Sequence, residues 1–264
     1  MFNGYRAIDL TLTIDERFPA TWPGHVPFVR RTWNWYEEKA SGPEVWTSGC
    51  GPYFTEVLVM DEHIGTHFDA PAHFLPDRAP GGGDARCGDD IPVETFCGSA
   101  VCLDVTGEIS SSPGASRLVT PGHIEALEED LGRRLSGGDI LLLRSDWDRR
   151  YYKAGADGLA YAHDVLVTQR AAGWPAPSVD CIRLLLDRGV RCIGTDAPSM
   201  GPAEGGAPVH VIGLGGGMVF IEALANLSSV PTVGSWFQFL PVKIARSSGG
   251  PGRAVAWVTD GSPA

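Results

Sequence analysis

The chain of 264 residues lacks an apolar run fit to cross a membrane. Its longest weakly polar stretch, 209–225, holds His210, Glu222 and four glycines, whereas a span needs about 20 predominantly apolar residues. Positive charge is also scarce. Twenty-one Lys and Arg stand against 32 Asp and Glu, a net charge of −11. Such a surface repels phosphate, which excludes nucleic acid and an anionic membrane face as partners. The six cysteines, at 50, 87, 97, 102, 181 and 192, form no Cys-x-x-Cys pair. In a chain this long they are expected as buried thiols in a reducing compartment rather than as staples. The opening Met-Phe-Asn-Gly-Tyr-Arg has no basic segment followed by an apolar one, so the expected location is the cytoplasm. Repeats and long Ser/Gly linkers are absent too, which leaves one domain over residues 1–264.

What is present is a mixed pattern. A composition of 43% hydrophobic and 20% charged residues suits a soluble globular protein with a sizeable core. β-type runs occur at 7–13, 55–60, 100–105, 139–143, 192–195, 219–222 and 254–258. The unbroken Ile-Leu-Leu-Leu of 140–143 reads as a strand buried on both faces. Helical signals are fewer. Thr120 and Pro121 open a helix with Ile124, Leu127, Leu131 and Leu135 on one face, closed by Gly137-Gly138. A second covers 178–188 and stops at Gly189. Strands alternating with a few helices predict a mixed α/β domain. The Trp- and Pro-rich segment 15–52 reads as an irregular loop or arm. Glycines 213, 215, 216 and 217 read as a turn, and the acidic run 125–130 as a solvated helix face.

The chemistry is concentrated in residues 61–74. Only seven histidines occur in the chain, yet His63, His67 and His73 fall here with Asp69. Imidazole and carboxylate together suit zinc or a similar divalent ion. The four-residue spacing of His63 and His67 is one used on a helix, but Gly65 and Pro71 favour an irregular turn. Gly65 would let the backbone curl. His67 and Asp69, two apart, would share a face if extended. A weaker pair is His210 and Glu222. The carboxylate of Glu222 sits in the apolar Met-Val-Phe-Ile-Glu-Ala-Leu-Ala, where it is costly unless paired with a cation.

With these residues in hand, the chain resembles the cyclase family of metal-dependent hydrolases, which includes bacterial kynurenine formamidase and isatin hydrolase. The family's His-x-Gly-Thr-His-x-Asp-x-Pro-x-His stands here as His63-Ile-Gly65-Thr66-His67-Phe-Asp69-Ala-Pro71-Ala-His73. The likeness extends to Asp9-Leu10-Thr11, to Gly138-Asp139, to Gly194-Thr195-Asp196-Ala197-Pro198-Ser199, to Glu222-Ala-Leu-Ala-Asn226-Leu227 and to Pro251-Gly-Arg253. It implies a swivelling β/β/α domain with an irregular N-terminal arm, and a homodimer or homotetramer. It further implies His63, His67 and Asp69 as ligands of a first metal, His210 and Glu222 as completing a second site, and His73 as the catalytic residue. The expected cofactor is one or two divalent ions, zinc or alternatively manganese. The expected partner is a small molecule, walled by Trp22 and Phe68, with Trp147 or Trp236 as further wall candidates. An arm that covers a neighbouring subunit's pocket would explain the tryptophans around Trp22. The chain departs from formamidases at Met200-Gly201-Pro202 and at Ala203–208, and in having Ala223 where Asn is frequent.

The implied reaction is hydrolysis of an amide, lactam or lactone by metal-activated water, with His73 shuttling the proton. An alternative is ring closure or dehydration of a polyketide-like intermediate on the same scaffold.

Overall fold

The computed structural model describes residues 4–36, 51–76 and 86–259. Twelve strands are present among them: β1 (Tyr5–Asp9), β2 (Val29–Trp35), β3 (Phe54–Val59), β4 (His67–Asp69), β5 (Cys97–Asp104), β6 (Leu118–Val119), β7 (Asp139–Arg144), β8 (Ala176–Pro177), β9 (Cys192–Thr195), β10 (Val219–Glu222), β11 (Ser235–Pro241) and β12 (Gly249–Thr259). The helices are α1 (Pro121–Leu131), α2 (Trp147–Tyr151), α3 (His163–Leu166), α4 (Val179–Asp187) and α5 (Ala207–Gly215).

The main sheet runs β1-β12-β11-β5-β7-β9-β10-β4, and β4 pairs again with β12. Seven strands therefore close into a small barrel, with β1 added alongside β12. The β5–β7, β7–β9 and β9–β10 pairings are parallel and the remaining ones in this sheet antiparallel. This is the mixed α/β single domain expected from the alternation of strands with a few helices.

Side-chain alternation splits the apolar residues into two layers. Ile140 and Leu142 join Phe68, Cys102, Ile221, Phe237 and Phe239 in a cluster to which every barrel strand contributes. Leu141 and Leu143 face the opposite way, onto Ile124 and Leu127 of α1 and Ile182 and Leu185 of α4. Burial on both faces is why β7 carries no polar residue between Asp139 and Arg144.

The helix starts follow their caps. The His123 ring accepts the Thr120 N–H (3.1 Å), and the Ser178 hydroxyl accepts the Cys181 N–H (3.1 Å). α1 ends sooner than Gly137-Gly138 suggested, because Gly132 already takes the left-handed conformation (φ +65°). The acidic run on α1 is only partly a solvated face. Glu128 is buried and pairs with the Arg188 guanidinium at 2.8 and 3.0 Å.

Two further expectations need correction. Segment 15–52 contains a strand: β2 pairs antiparallel with β3 as a separate two-stranded sheet. Trp46 and Cys50 lie outside the described residues. The turn predicted over 213–217 begins instead as the last residues of α5, a helix that glycine content concealed. Gly213 is there for contact: a Cβ on it would lie 2.3 Å from the Phe220 ring, so only glycine lets α5 lie this close to β10.

Candidate metal centre

That close packing builds one wall of the site. α5 carries His210 and β10 ends in Glu222, so two residues twelve apart in sequence meet with His210 Nε2 3.2 Å from Glu222 Oε1. The other wall is the turn and strand 63–69. Gly65 adopts φ +58°, which curls the chain between His63 and β4 and rules out a helix here. In β4 the alternation does the rest: His67 and Asp69 face the site, and Phe68 faces the barrel interior.

Phe68 therefore does not wall the cavity. It is 1% exposed and packs edge-on against Phe96 (5.0 Å) and Phe239 (6.3 Å). Trp147 is buried in a third apolar cluster, donating its indole N–H to the Tyr161 carbonyl (3.0 Å), and Trp236 is an exposed residue of β11. Neither lines the cavity. Trp22 does line it, and from within its own chain, edge-on to Trp174 at 6.3 Å.

The cavity holds about 360 Å³ and takes in His63, His67, Asp69, His73, His210 and Glu222, all six of the residues singled out for metal or catalysis. Two triads of potential ligand atoms overlap within it. His63, Asp69 and His73 form one; His67, Asp69 and Glu222 form the other; within each, the atoms lie within 4.8 Å of one another. Asp69 is common to both.

The outward nitrogen of each of three imidazoles is already engaged. His67 Nδ1 donates to the Gly65 carbonyl (2.8 Å) and His210 Nδ1 to the Gly206 carbonyl (2.9 Å). His63 Nε2 is 2.9 Å from the Ser248 hydroxyl, which donates to Glu62 (2.7 Å). Partners of this kind fix tautomer and ring orientation. The inward nitrogens then point lone pairs at carboxylates. His63 Nδ1 is 2.8 Å from Asp69 Oδ1; His67 Nε2 is 3.5 Å from Glu222 Oε2; His210 Nε2 is 3.4 Å from Asp69 Oδ2. Asp69 Oδ2 is buried with no hydrogen-bond donor. Acceptors facing acceptors in a buried pocket need a positive charge between them, and the residues present fit a divalent cation.

The titration behaviour has the same origin. Burial disfavours charge on Asp69, but the His210 and His63 imidazoles outweigh it and hold the carboxyl well below its usual range. Burial and the Asp69 charge push Glu222 up, while His210 and His67 pull it below normal. Burial likewise works against the imidazolium of His210, yet Asp69 and Glu222 raise it to about 10. A proton on that ring does what a bound cation would do: it supplies the missing positive charge. His73 goes the other way, because burial dominates and lowers it.

Sequence reasoning missed several lining residues. His25, Tyr161, Ser199 and Glu204 line the same cavity. Met200 donates its backbone N–H to Glu222 (2.6 Å), so the 196–200 segment buttresses the carboxylate. A signal for His25 was available in its Trp-Pro-Gly-His context, which is a turn motif. Nothing local marked Tyr161.

Buried imidazoles and carboxylates gathered around one cavity fit a metal-dependent hydrolytic enzyme. The comparisons agree. Residues 8–202 match the family model described as "Putative cyclase", and the chain belongs to that family. An isatin hydrolase of Roseibium aggregatum is 31% identical over 214 residues, which is 79% of this chain and 76% of the relative. A kynurenine formamidase of Salinibacter ruber is 28% identical over 253 residues, 94% and 95% of the two chains. Among solved structures, isatin hydrolase A from Labrenzia aggregata bound to benzyl benzoate superposes with a TM-score of 0.76 at 28% identity, covering 97% and 95% of the two chains. The chain is thus an enzyme of the cyclase-family hydrolase type. No helix among the described residues is long and apolar enough to cross a membrane.

Proposed function

We propose that this enzyme hydrolyses the carbonyl–nitrogen or carbonyl–oxygen bond of a small cyclic or aromatic amide, lactam or lactone, using a divalent cation, zinc or manganese, held by His63, His67, Asp69, His210 and Glu222. The observation that carries this reading is the set of inward imidazole lone pairs aimed at buried carboxylates. A cation there supplies a Lewis acid that polarises a carbonyl and eases the ionisation of water.

The chain's own residues do the remainder. Asp69, common to both triads, neutralises and locates the charge. Glu222, held by the Met200 N–H, fixes the far side. His73 is half-buried at the cavity wall, stacked on His63 at 3.9 Å. Desolvation keeps its ring unprotonated, so it can take a proton from water and return it to the leaving group, a role that contributes about 10²–10⁴-fold. Trp22 supplies an apolar wall. A volume of about 360 Å³ is near the lower end for ligand pockets, roughly 300–1,000 Å³, and favours a single or fused ring over a polyketide chain. The named activities of the two relatives, on isatin and as a kynurenine formamidase, support the amide class. The exposed residues Trp33, Trp35, Phe54 and Leu58 on the β2–β3 sheet support assembly as a homodimer or homotetramer, and the location proposed is the cytoplasm.

The test is a panel of isatin, formanilide, N-formylkynurenine and simple lactones, assayed before and after chelation and on His73→Ala. Hydrolysis of at least one that disappears with chelator, returns with zinc or manganese, and falls at least 100-fold in the variant at unchanged metal content is expected. Full turnover by metal-free protein would refute the proposal.

A further inference from the structure

Among the three imidazoles whose outward nitrogen is engaged, His63 is held differently. His67 and His210 lean on backbone carbonyls. A carbonyl oxygen only accepts, so by itself it settles which ring nitrogen carries the hydrogen. His63 leans on the hydroxyl of Ser248, and a hydroxyl donates as readily as it accepts. On its own, Ser248 would suit either tautomer of the ring.

Glu62 removes that choice. Its Oε2 accepts both the backbone N–H of Ser248 (2.8 Å) and the Ser248 hydroxyl (2.7 Å). The hydroxyl has a single hydrogen, and it goes to Glu62. Ser248 Oγ therefore turns only lone pairs toward His63 Nε2, 2.9 Å away, and that nitrogen carries a hydrogen. In the neutral ring Nδ1 is then bare. It faces Asp69 Oδ1 at 2.8 Å, inside the triad of His63, Asp69 and His73.

The backbone fixes the ring as well. Ser248 and Gly249 stand at the start of β12, beside the end of β4. Ala70 donates its N–H to the Ser248 carbonyl (2.9 Å), and Gly249 lies opposite Asp69 in register. A Cβ on Gly249 would lie 2.7 Å from His63 Cε1 and would overlap the Phe68 carbonyl oxygen. Only glycine lets the strand pass this close to the imidazole. One strand pairing thus places both Asp69 and the hydroxyl on the other side of the His63 ring.

We propose that Glu62 and Ser248 are positioning residues that act in series: Glu62 orients the Ser248 hydroxyl, and Ser248 holds the hydrogen on His63 Nε2, so that Nδ1 is the nitrogen presented to the cation. The proposal rests on the metal-dependent reading of the same site, and extends it to the residues that decide how His63 binds.

The experiment measures the zinc affinity of metal-free full-length protein by competition with a coloured chelator, for wild type, Ser248→Ala, Glu62→Ala and the double variant, with thermal melts to report on the fold. Each single variant is expected to weaken zinc by about 10–100-fold, the usual effect of removing the partner of a ligating histidine. Where two equivalents bind, the loss falls on one of them, since His67 and His210 keep their carbonyls. The double variant should be no weaker than Ser248→Ala, because without the hydroxyl Glu62 has nothing to orient. Glu62→Gln, whose amide oxygen still accepts, should recover most of the affinity. In zinc-loaded wild type, nitrogen-15 spectra of labelled histidine should show the hydrogen of His63 on Nε2, a result that does not depend on any variant folding. Wild-type affinity in either single variant, equal losses from Glu62→Ala with and without Ser248, or a hydrogen on His63 Nδ1 overturns the proposal. A wild type that binds no zinc sinks the metal-dependent reading and the proposal with it. Zinc binding that follows the expected series without hydrolysis of any amide or lactone sinks the hydrolytic reading and leaves the roles of Glu62 and Ser248 standing.

Discussion

Asp69 is the residue on which the proposed centre turns, and Asp69→Asn is its sharpest test. The substitution keeps the shape of the side chain and removes one charge. Asp69 Oδ1 lies 2.8 Å from His63 Nδ1 and 3.6 Å from His67 Nε2, and Oδ2 lies 3.4 Å from His210 Nε2, so a cation in either triad sits within a few ångströms of the carboxylate. At about 3.5 Å and an effective dielectric of about 20, a unit charge pair is worth about 5 kcal/mol. Halving this for the amide dipole that remains, and doubling it for a divalent ion, leaves about 5 kcal/mol. That is a loss of roughly 10³-fold or more in affinity. Because both triads share Asp69, Asp69→Asn should leave the protein essentially free of zinc or manganese after dialysis, measured by elemental analysis and by competition with a coloured chelator. Glu222→Gln touches only one triad and should retain more metal than Asp69→Asn. Thermal melts of metal-free proteins separate loss of the ion from loss of the fold. An Asp69→Asn protein that keeps wild-type metal content and affinity would refute the placement of the cation between these side chains.

Phe68→Ala should cost about 3–5 kcal/mol in urea unfolding, as a large core truncation does, and leave ligand affinity of the folded protein within about twofold; weakened binding without destabilisation would return Phe68 to the pocket. Ala223→Gly should stabilise the protein by about 1 kcal/mol, since Ala223 holds φ +55°, where a side chain is strained; a destabilised variant would show that the turn is not strained. Burial pushes the Asp196 carboxyl up to about 7, against the donors of Ser145 and Asp146. Between its unfolded value of 3.8 and about 7, the folded state holds a proton that the unfolded state has released, so this group's contribution to stability must fall as pH rises through that window. Wild type should therefore lose stability relative to Asp196→Asn between about pH 4 and 7, by up to about 4 kcal/mol; parallel unfolding curves for the two proteins would contradict it.

Much of the fold could be read locally because the signals were local. The apolar run 140–143 needed two covered faces, and received the barrel interior on one side and helices α1 and α4 on the other. Ser178 and Gly189 bracketed α4. Where reading failed, a distant residue was the cause. Helix α5 was hidden by its glycines, and Gly213 among them answers to Phe220 across the interface. Strand β2 lay among prolines and tryptophans, and its pairing partner β3 is more than twenty residues further on. Glu128 looked like part of a solvated face until Arg188 closed on it.

By itself the sequence determined the donor chemistry: three imidazoles and a carboxylate within eleven residues, and a glutamate that an apolar strand would not keep without a cation. It also determined, through the two-residue repeat of an extended chain, that His67 and Asp69 would share a face. Which face Phe68 took followed from that same repeat, but whether that face was cavity or core was decided only when β4 joined β10 and β12 to close the barrel. The tertiary structure alone brought His210 and Glu222 to Asp69, set Trp22 over its own chain's pocket and added His25 to the cavity wall. The reason is range. Dihedral preferences and side-chain alternation act over a few residues and are written in the local sequence, while a site assembled from residues 22 to 222 exists only where packing makes distant segments neighbours.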